Sequence, residues 1–217
     1  STQSDAEAQK ELNAQVSPHD RQIANWLSVV TGMVFGIVSV GGITRLTESG
    51  LSITEWKPIT GSVPPLSEAD WENEFEKYKQ FPEFKKLQPN MKLSEFKSIY
   101  LWEWSHRFLG RMIGVVFALP LGYFIAKGRL TKGQIMHYSG LLAFGGAQGA
   151  LGWYMVKSGL EVQEGEYPRV SAYRLCAHLG LAFTLYLGTF WGAMTLYRPQ
   201  MIVRHAIPSR LKAAAGV

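Results

Sequence analysis

The sequence contains a single cysteine and few charged residues, and each scarcity excludes a class of protein. One cysteine cannot form an intrachain disulfide or a cysteine-based metal cluster, and we expect Cys176 to pack as a small buried apolar side chain. Only 18% of the 217 residues are charged, and the stretches 22–44, 133–156 and 175–197 contain none. The mean hydropathy of −0.02 therefore averages apolar runs with a polar remainder. This distribution excludes a disulfide scaffold, a soluble globular enzyme and a disordered tail.

Three charge-free runs, with a fourth at 112–126 that follows a segment containing three charges, predict an all-α membrane protein, a bundle of four transmembrane helices with a long, partly helical loop between the first two. About 20 apolar residues, at a rise of about 1.5 Å each, cross the hydrocarbon core of a bilayer. Glycines recur at spacings of three and four in the first and third runs, as they do where helices pack closely in lipid. The predicted spans are 23–44, 99–126, 134–156 and 173–197, with a polar tail at 1–22, a capping loop at 45–98 and a basic tail at 198–217.

Basic residues in the short connections predict the orientation of the bundle. Lys127, Arg129 and Lys132 lie between the second and third spans without any acid, and the C-terminal tail is also basic. We therefore expect both termini on the cytoplasmic or matrix side. The net charge of +5 is then a topology signal, and the expected partner is a lipid bilayer, not nucleic acid. The polar N-terminus has no apolar signal core, so either the first span directs targeting or a presequence has been removed.

The loop 45–98 carries a hydrophobic pattern of its own. Ser67 precedes acidic and aromatic residues that continue to Tyr78, which predicts a short amphipathic helix, and a second aromatic cluster follows at Phe81 and Phe84. A loop of this length is uncommon unless it folds. We expect it to cap the bundle; a solvated acidic linker is the alternative.

Glu103 is the only acidic residue inside a predicted span. An ionisable group at membrane depth is costly unless paired, which makes Glu103 a candidate functional residue. It shares a helical face with His106, and Arg107 and Arg111 follow on an adjacent stripe. The alternative is that Glu103 lies at the interface and only pairs with Arg107.

His106 and His178 are predicted to lie at matching depth on parallel spans, within about 2 Å of each other along the membrane normal. His137 falls near the opposite end of the third span, and His19 and His205 lie outside the spans. Two facing histidines can ligate a haem iron from both sides.

In such a site Arg107 and Arg111 could neutralise the haem propionates. Zinc is the less favoured alternative, because Glu103 is the only further ligand available and zinc prefers at least three protein ligands.

Five motifs resemble those of the haem A synthases. The resemblance covers about 40–197 and is closest to the mitochondrial and alphaproteobacterial branch, which lacks a pair of loop cysteines that other bacterial members have. This chain lacks the pair as well. The motifs lie at 41–52, 55–58, 103–107, 151–160 and 173–180.

The resemblance implies an oxidoreductase that converts a methyl group of haem O to a formyl group, giving haem A for cytochrome c oxidase. It implies that Glu103 is the catalytic carboxylate and that His106 and His178 ligate the iron. The implied location is the mitochondrial inner membrane or a bacterial plasma membrane. The implied partners are haem O, an electron donor, haem O synthase and cytochrome c oxidase assembly factors.

Members of this family have eight spans in two similar halves, and the second half binds a haem b through another histidine pair. The chain resembles the first half. We therefore expect either that half-length chains assemble as a homo-oligomer or that a second half is missing, and a haem b only where a second half or subunit is present. The competing hypotheses are a non-catalytic haem-carrying or electron-transfer bundle and an assembly factor that acts through the long loop.

Overall fold

The computed structural model describes residues 17–57, 59–161 and 167–197, and within these ranges it contains helices and no strands. Four long helices form the body of the molecule, and two short α-helices and one 3-10 turn lie in the connection after the first. The α-helices are α1 Pro18–Leu46, α2 Glu68–Lys79, α3 Pro82–Leu87, α4 Leu93–Ala126, α5 Lys132–Leu160 and α6 Ala172–Tyr197, and the 3-10 turn is Thr60–Ser62.

Each long helix contains one predicted span, but the helices extend beyond the apolar runs. Helix α1 starts five residues before the predicted span because Ser17 caps it: the Ser17 hydroxyl accepts a hydrogen bond from the Asp20 amide at 3.0 Å, and Pro18 occupies the first turn. Part of the expected polar tail is therefore helical. Helix α4 starts at Leu93, so its first turns belong to the expected loop.

Three of the four long helices, α1, α4 and α6, are long and apolar enough to cross a membrane. Helix α5 has 29 residues but falls outside this set. Its seven glycines and polar residues such as His137 and Gln148 lower its mean hydropathy. The all-helical class is thus confirmed, with three candidate spans rather than the four predicted.

The four long helices pack in a ring. Helix α1 packs most extensively against α6 and next against α4, while α5 packs against the same two helices from the opposite side. Helices α4 and α6 therefore face each other diagonally across the bundle. The two helices that carry the predicted histidine pair are thus on opposite sides of the bundle interior.

Apolar packing is concentrated in the half of the bundle farther from the long loop. Trp26 is its centre: the indole N–H donates to the Val116 carbonyl at 2.8 Å, and the ring lies 5.1 Å from Phe117 and 5.8 Å from Tyr138. The buried members of this cluster are Ile23, Trp26, Leu27, Val30, Val34, Phe117, Leu121, Phe124, Leu130, Tyr138, Leu141 and Ala193.

The connection after α1 folds onto the start of α4 as a cap, which we define as α2, α3 and the residues between them. The predicted amphipathic helix is present as α2, where Ser67 and Asp70 form a reciprocal capping box. Phe75 and Tyr78 are buried against Phe96 of α4, with Tyr78 and Phe96 stacked at 5.3 Å between ring centroids. The cap is therefore held by aromatic contacts rather than by its surface charges.

A buried acid lies inside this cap. The Glu83 carboxylate is 5% exposed and accepts a hydrogen bond from the Tyr78 hydroxyl at 3.1 Å. Burial raises the pKa of Glu83 to about 8; the Tyr78 hydrogen bond opposes this shift, and the charges of Glu103 and Glu48 add to it. The protonated acid is thus the form that the folded cap favours.

This shift predicts that the cap loosens in alkali. Because the pKa of Glu83 is higher in the folded cap than in the unfolded chain, its contribution is fully present below about pH 4.5 and is lost as pH rises through about 8. We expect faster amide hydrogen exchange in peptides from 68–87 at pH 9 than at pH 6, after correction for intrinsic rates. Glu83→Gln should remove this difference, and an unchanged pH dependence in that variant would contradict the assignment.

Candidate functional site

Glu103 lies in the third turn of α4, is 3% exposed, and has both carboxylate oxygens hydrogen-bonded. Its Oε2 accepts from the Ser52 hydroxyl at 2.7 Å and from the Ile53 amide at 2.8 Å. Its Oε1 accepts from Arg107 Nε at 3.0 Å and from Arg107 Nη2. The carboxylate is therefore paired with Arg107, as the alternative interpretation of this residue expected, and it also fastens a distant part of the chain to α4.

A tight turn at the end of α1 delivers Ser52 to this carboxylate. The Ser49 amide donates to the Thr44 carbonyl at 3.0 Å and the Glu48 amide to the Arg45 carbonyl at 3.4 Å, which is the Schellman pattern. Glu48 occupies the left-handed position of this motif, with φ of 53°, where glycine is usually preferred. The turn thus reverses the chain in a few residues.

Leu51 locks the turn against α5. A Cβ atom placed on Gly159 would lie only 2.7 Å from Leu51 Cδ2, so the leucine fits against the helix because glycine leaves space there. Leu51 is buried, as is Ser52 beside it. The first connection is therefore fixed to α4 by hydrogen bonds and to α5 by packing.

Arg107 and Arg111 bind backbone carbonyls of the following segment, 53–57. Arg107 Nη2 donates to the Ile53 carbonyl at 3.0 Å, and Arg111 Nη2 donates to the Lys57 carbonyl at 2.9 Å. Both guanidinium groups line a cavity of about 320 Å³ between this segment and α2. The two arginines thus hold the loop on α4.

The structure places His106 and His178 at the same end of the bundle, on the diagonally opposed helices α4 and α6. Each ring lies against a glycine of a neighbouring helix. A Cβ on Gly41 would be 3.1 Å from His106 Nε2, and a Cβ on Gly152 would be 3.0 Å from His178 Cε1. Larger residues at either position would displace the imidazoles.

The interior of the bundle at the histidine end contains different kinds of side chain from the interior around Trp26. Among the described residues of the long helices at this end, the large buried side chains are Phe96 and Tyr100, and both pack into the cap. The remaining buried positions there are small or polar: Thr44, Glu103, Gly159 and Ala182. The histidine layer is therefore framed by glycine and polar groups.

The other sequence candidates are separated from this layer. His137 is exposed near the start of α5 and His19 near the start of α1, both at the opposite end of the bundle, and His205 lies outside the described residues. The expectation for Cys176 was wrong, because it is exposed on α6. No group of three or more potential metal-ligating side chains occurs within the ranges that the structure describes, which leaves the zinc alternative without support.

Two contributors to the site were missed by sequence reasoning. Ser52 and the Ile53 amide reach Glu103 across about fifty residues of chain, and no local pattern marks them as partners. Gln148 of α5 donates from Nε2 to the His178 carbonyl at 3.0 Å. The sequence does mark Gln148 as a candidate, since an amide inside a charge-free run is itself a polar group at membrane depth.

Several known proteins are similar in sequence to this chain. A heme A synthase of Nitrosospira multiformis is 51% identical over 179 residues, which are 82% of this chain and 49% of that protein. A heme A synthase of Rhodospirillum centenum is 52% identical over 179 residues, 82% of this chain and 47% of that protein. Heme A synthase COX15 of Saccharomyces cerevisiae is 51% identical over 183 residues, 82% of this chain and 37% of that protein.

The chain thus spans about half the length of the bacterial relatives, and less of the yeast one. No solved structure matches it. The sequence profile of the COX15-CtaA family, described as cytochrome oxidase assembly protein, matches residues 24–217. The chain therefore belongs to the COX15-CtaA family.

Proposed function

We propose that this chain forms the substrate half of a haem A synthase, in which a methyl group of haem O is oxidised to a formyl group. The observation that carries the proposal is that His106 and His178 lie at the same end of the bundle on diagonally opposed helices, each against a glycine, with the buried Glu103 about one helical turn before His106. The relatives named heme A synthase support the reaction.

The donor set fits an iron porphyrin. Two imidazoles approach from opposite helices, and Gly41 and Gly152 let the neighbouring helix backbones come close to them. The Nδ1 atom of His178 is buried and has no hydrogen-bond partner in the described chain. In this proposal both histidines ligate the iron of the substrate, which supplies the redox centre.

The chain supplies orientation and a proton acceptor. A methyl group offers no polar handle, so the ring must be fixed through its iron and its propionates; we assign the propionates to Arg107 and Arg111, which would then turn from the loop carbonyls or share their donors with them. Replacing two C–H bonds of the methyl group by a C=O bond is a four-electron oxidation: with water as the oxygen source it releases four protons and four electrons. The electrons would pass to the proposed electron carrier, and Glu103 would accept one of the released protons. The Ser52, Ile53 and Arg107 hydrogen bonds hold that carboxylate in place.

We also propose that α5 crosses the membrane with the other three long helices, because it lies between α4 and α6 on the ring. Both termini then lie on the matrix or cytoplasmic side of a mitochondrial inner membrane or bacterial plasma membrane. The proposed partners are an electron carrier, haem O synthase and assembly factors of cytochrome c oxidase. A haem b requires a second half or a second copy of the chain.

The second candidate function is a haem carrier or electron-transfer bundle that leaves the ring unchanged. It is favoured by one observation: the Ser52 and Ile53 hydrogen bonds of Glu103 fasten the loop to α4, and its remaining hydrogen bonds pair it with Arg107 of the same helix, which together are a sufficient structural reason for the residue. The two functions differ in whether the carboxylate itself is needed for conversion.

Replacing either histidine tests the ligand assignment. We expect His106→Ala and His178→Ala each to lose the six-coordinate low-spin spectrum of bound haem, because one axial ligand is removed. His137→Ala, at the far end of α5, is the matched control and should keep the spectrum. An unchanged six-coordinate spectrum in either test variant would refute the assignment.

The adjacent glycines Gly41 and Gly42 give a sharper test of whether His106 binds the haem. Gly41→Ala places a methyl group 3.1 Å from His106 Nε2, whereas a Cβ on Gly42 meets nothing within 4 Å. We expect Gly41→Ala to weaken haem binding about tenfold by displacing the ligand, and Gly42→Ala to leave it unchanged. Equal affinities in a haem titration would show that His106 does not bind through this position.

Replacing Glu103 separates the two candidate functions. We expect Glu103→Gln, which keeps the size of the side chain, to retain bound haem but to lower haem A formation at least about 100-fold. The measurement is chromatography of haems extracted from cells that supply haem O. Ser52→Ala is the control, because it removes one fastening hydrogen bond and leaves the carboxylate. Normal haem A formation by Glu103→Gln would favour the carrier.

A further inference from the structure

Gln148 lies on α5 one helical turn before Gly152, the residue against which His178 packs. Its Nε2 donates to the backbone carbonyl of His178 at 3.0 Å, across the interface between α5 and α6. A carbonyl can only accept, so the amide nitrogen must be the atom that faces it. The amide oxygen is therefore left as an acceptor beside His178.

Two buried atoms at this interface have no hydrogen-bond partner within the described chain. One is Gln148 Oε1, an acceptor, and the other is His178 Nδ1. An imidazole that binds a metal through Nε2 carries its proton on Nδ1, which is then a donor. Buried donors and acceptors in proteins are almost always paired. Binding of a metal to His178 would thus create the donor that the glutamine lacks.

We propose that Gln148 is the positioning residue of His178: its Oε1 accepts the Nδ1–H hydrogen bond when His178 Nε2 ligates haem iron. The inference rests on the proposed function. Ligating histidines ordinarily donate their second ring N–H to such a partner, which fixes the ring and makes the ligating nitrogen more basic. Gln148 would hold the backbone and the ring of the same residue through the two ends of one amide.

Two substitutions of Gln148 should shift the reduction potential of the bound haem in opposite directions. Gln148→Leu removes the acceptor, so we expect haemin affinity to fall about tenfold and the reduction potential of the bound haem to rise, since a less basic ligand stabilises ferric iron less. Gln148→Glu keeps an acceptor and strengthens it, so affinity should stay near that of the unmodified protein and the potential should fall. If Gln148 only filled space, its leucine and glutamate variants would not shift the reduction potential in opposite directions.

The experiment uses the whole chain, purified in detergent, with haemin as the probe. Thr184→Val is the control on α6, because the Thr184 hydroxyl bonds only within its own helix, to the Gly180 carbonyl at 3.0 Å. It should leave both affinity and potential unchanged. If the leucine variant folds poorly, the glutamate variant decides: a lower potential supports the inference and an unchanged potential overturns it.

The outcomes separate this inference from the function on which it rests. If the unmodified protein shows the six-coordinate spectrum and both Gln148 variants match it in potential and affinity, the role of Gln148 is refuted and the haem site stands. If the unmodified protein never gives that spectrum, the haem site fails and the role of Gln148 fails with it.

Discussion

A carboxylate buried at the end of a membrane helix must obtain its hydrogen bonds from protein, because neither lipid nor a dry interior can supply them. Glu103 meets this requirement with donors from two places: Arg107, one turn along its own helix, and the Ser52–Ile53 segment, which the turn after α1 brings back over the bundle. The need of the Glu103 carboxylate for hydrogen-bond donors thereby determines the path of the first connection over the bundle.

Much of the remaining site follows from that path. Arg107 and Arg111 extend the attachment to residues 53–57, and Leu51 presses the same segment against Gly159 of α5. The cap then lies over the start of α4, where its aromatic side chains find Phe96 and Tyr100. A substrate bound between His106 and His178 would lie beneath a loop that is attached to three of the four long helices.

The sequence predicted the parts of this structure that depend on local pattern. Apolar runs indicated the four long helices, Ser67 with Asp70 indicated α2, and the equal depth of two histidines predicted that they lie at one end of the bundle. It missed what depends on helix phase and on distant contacts. Cys176 illustrates the first: residues two apart on a helix point about 200° apart, so an inward His178 turns Cys176 outward. Ser52 and Gln148 illustrate the second, since their partners are far away in sequence.

The uneven interior gives the bundle a gradient of local stability along its axis. The Trp26 end is held by interlocked rings and by a hydrogen bond of 3.0 Å between Thr31 and Thr189, which joins α1 to α6. The histidine end has glycine and polar groups in place of such packing. Elements with few buried apolar contacts open at lower free energy than a packed core. At the histidine end the helices are therefore joined mainly by the attached loop and its hydrogen bonds, and separating them there would break less apolar packing than at the Trp26 end.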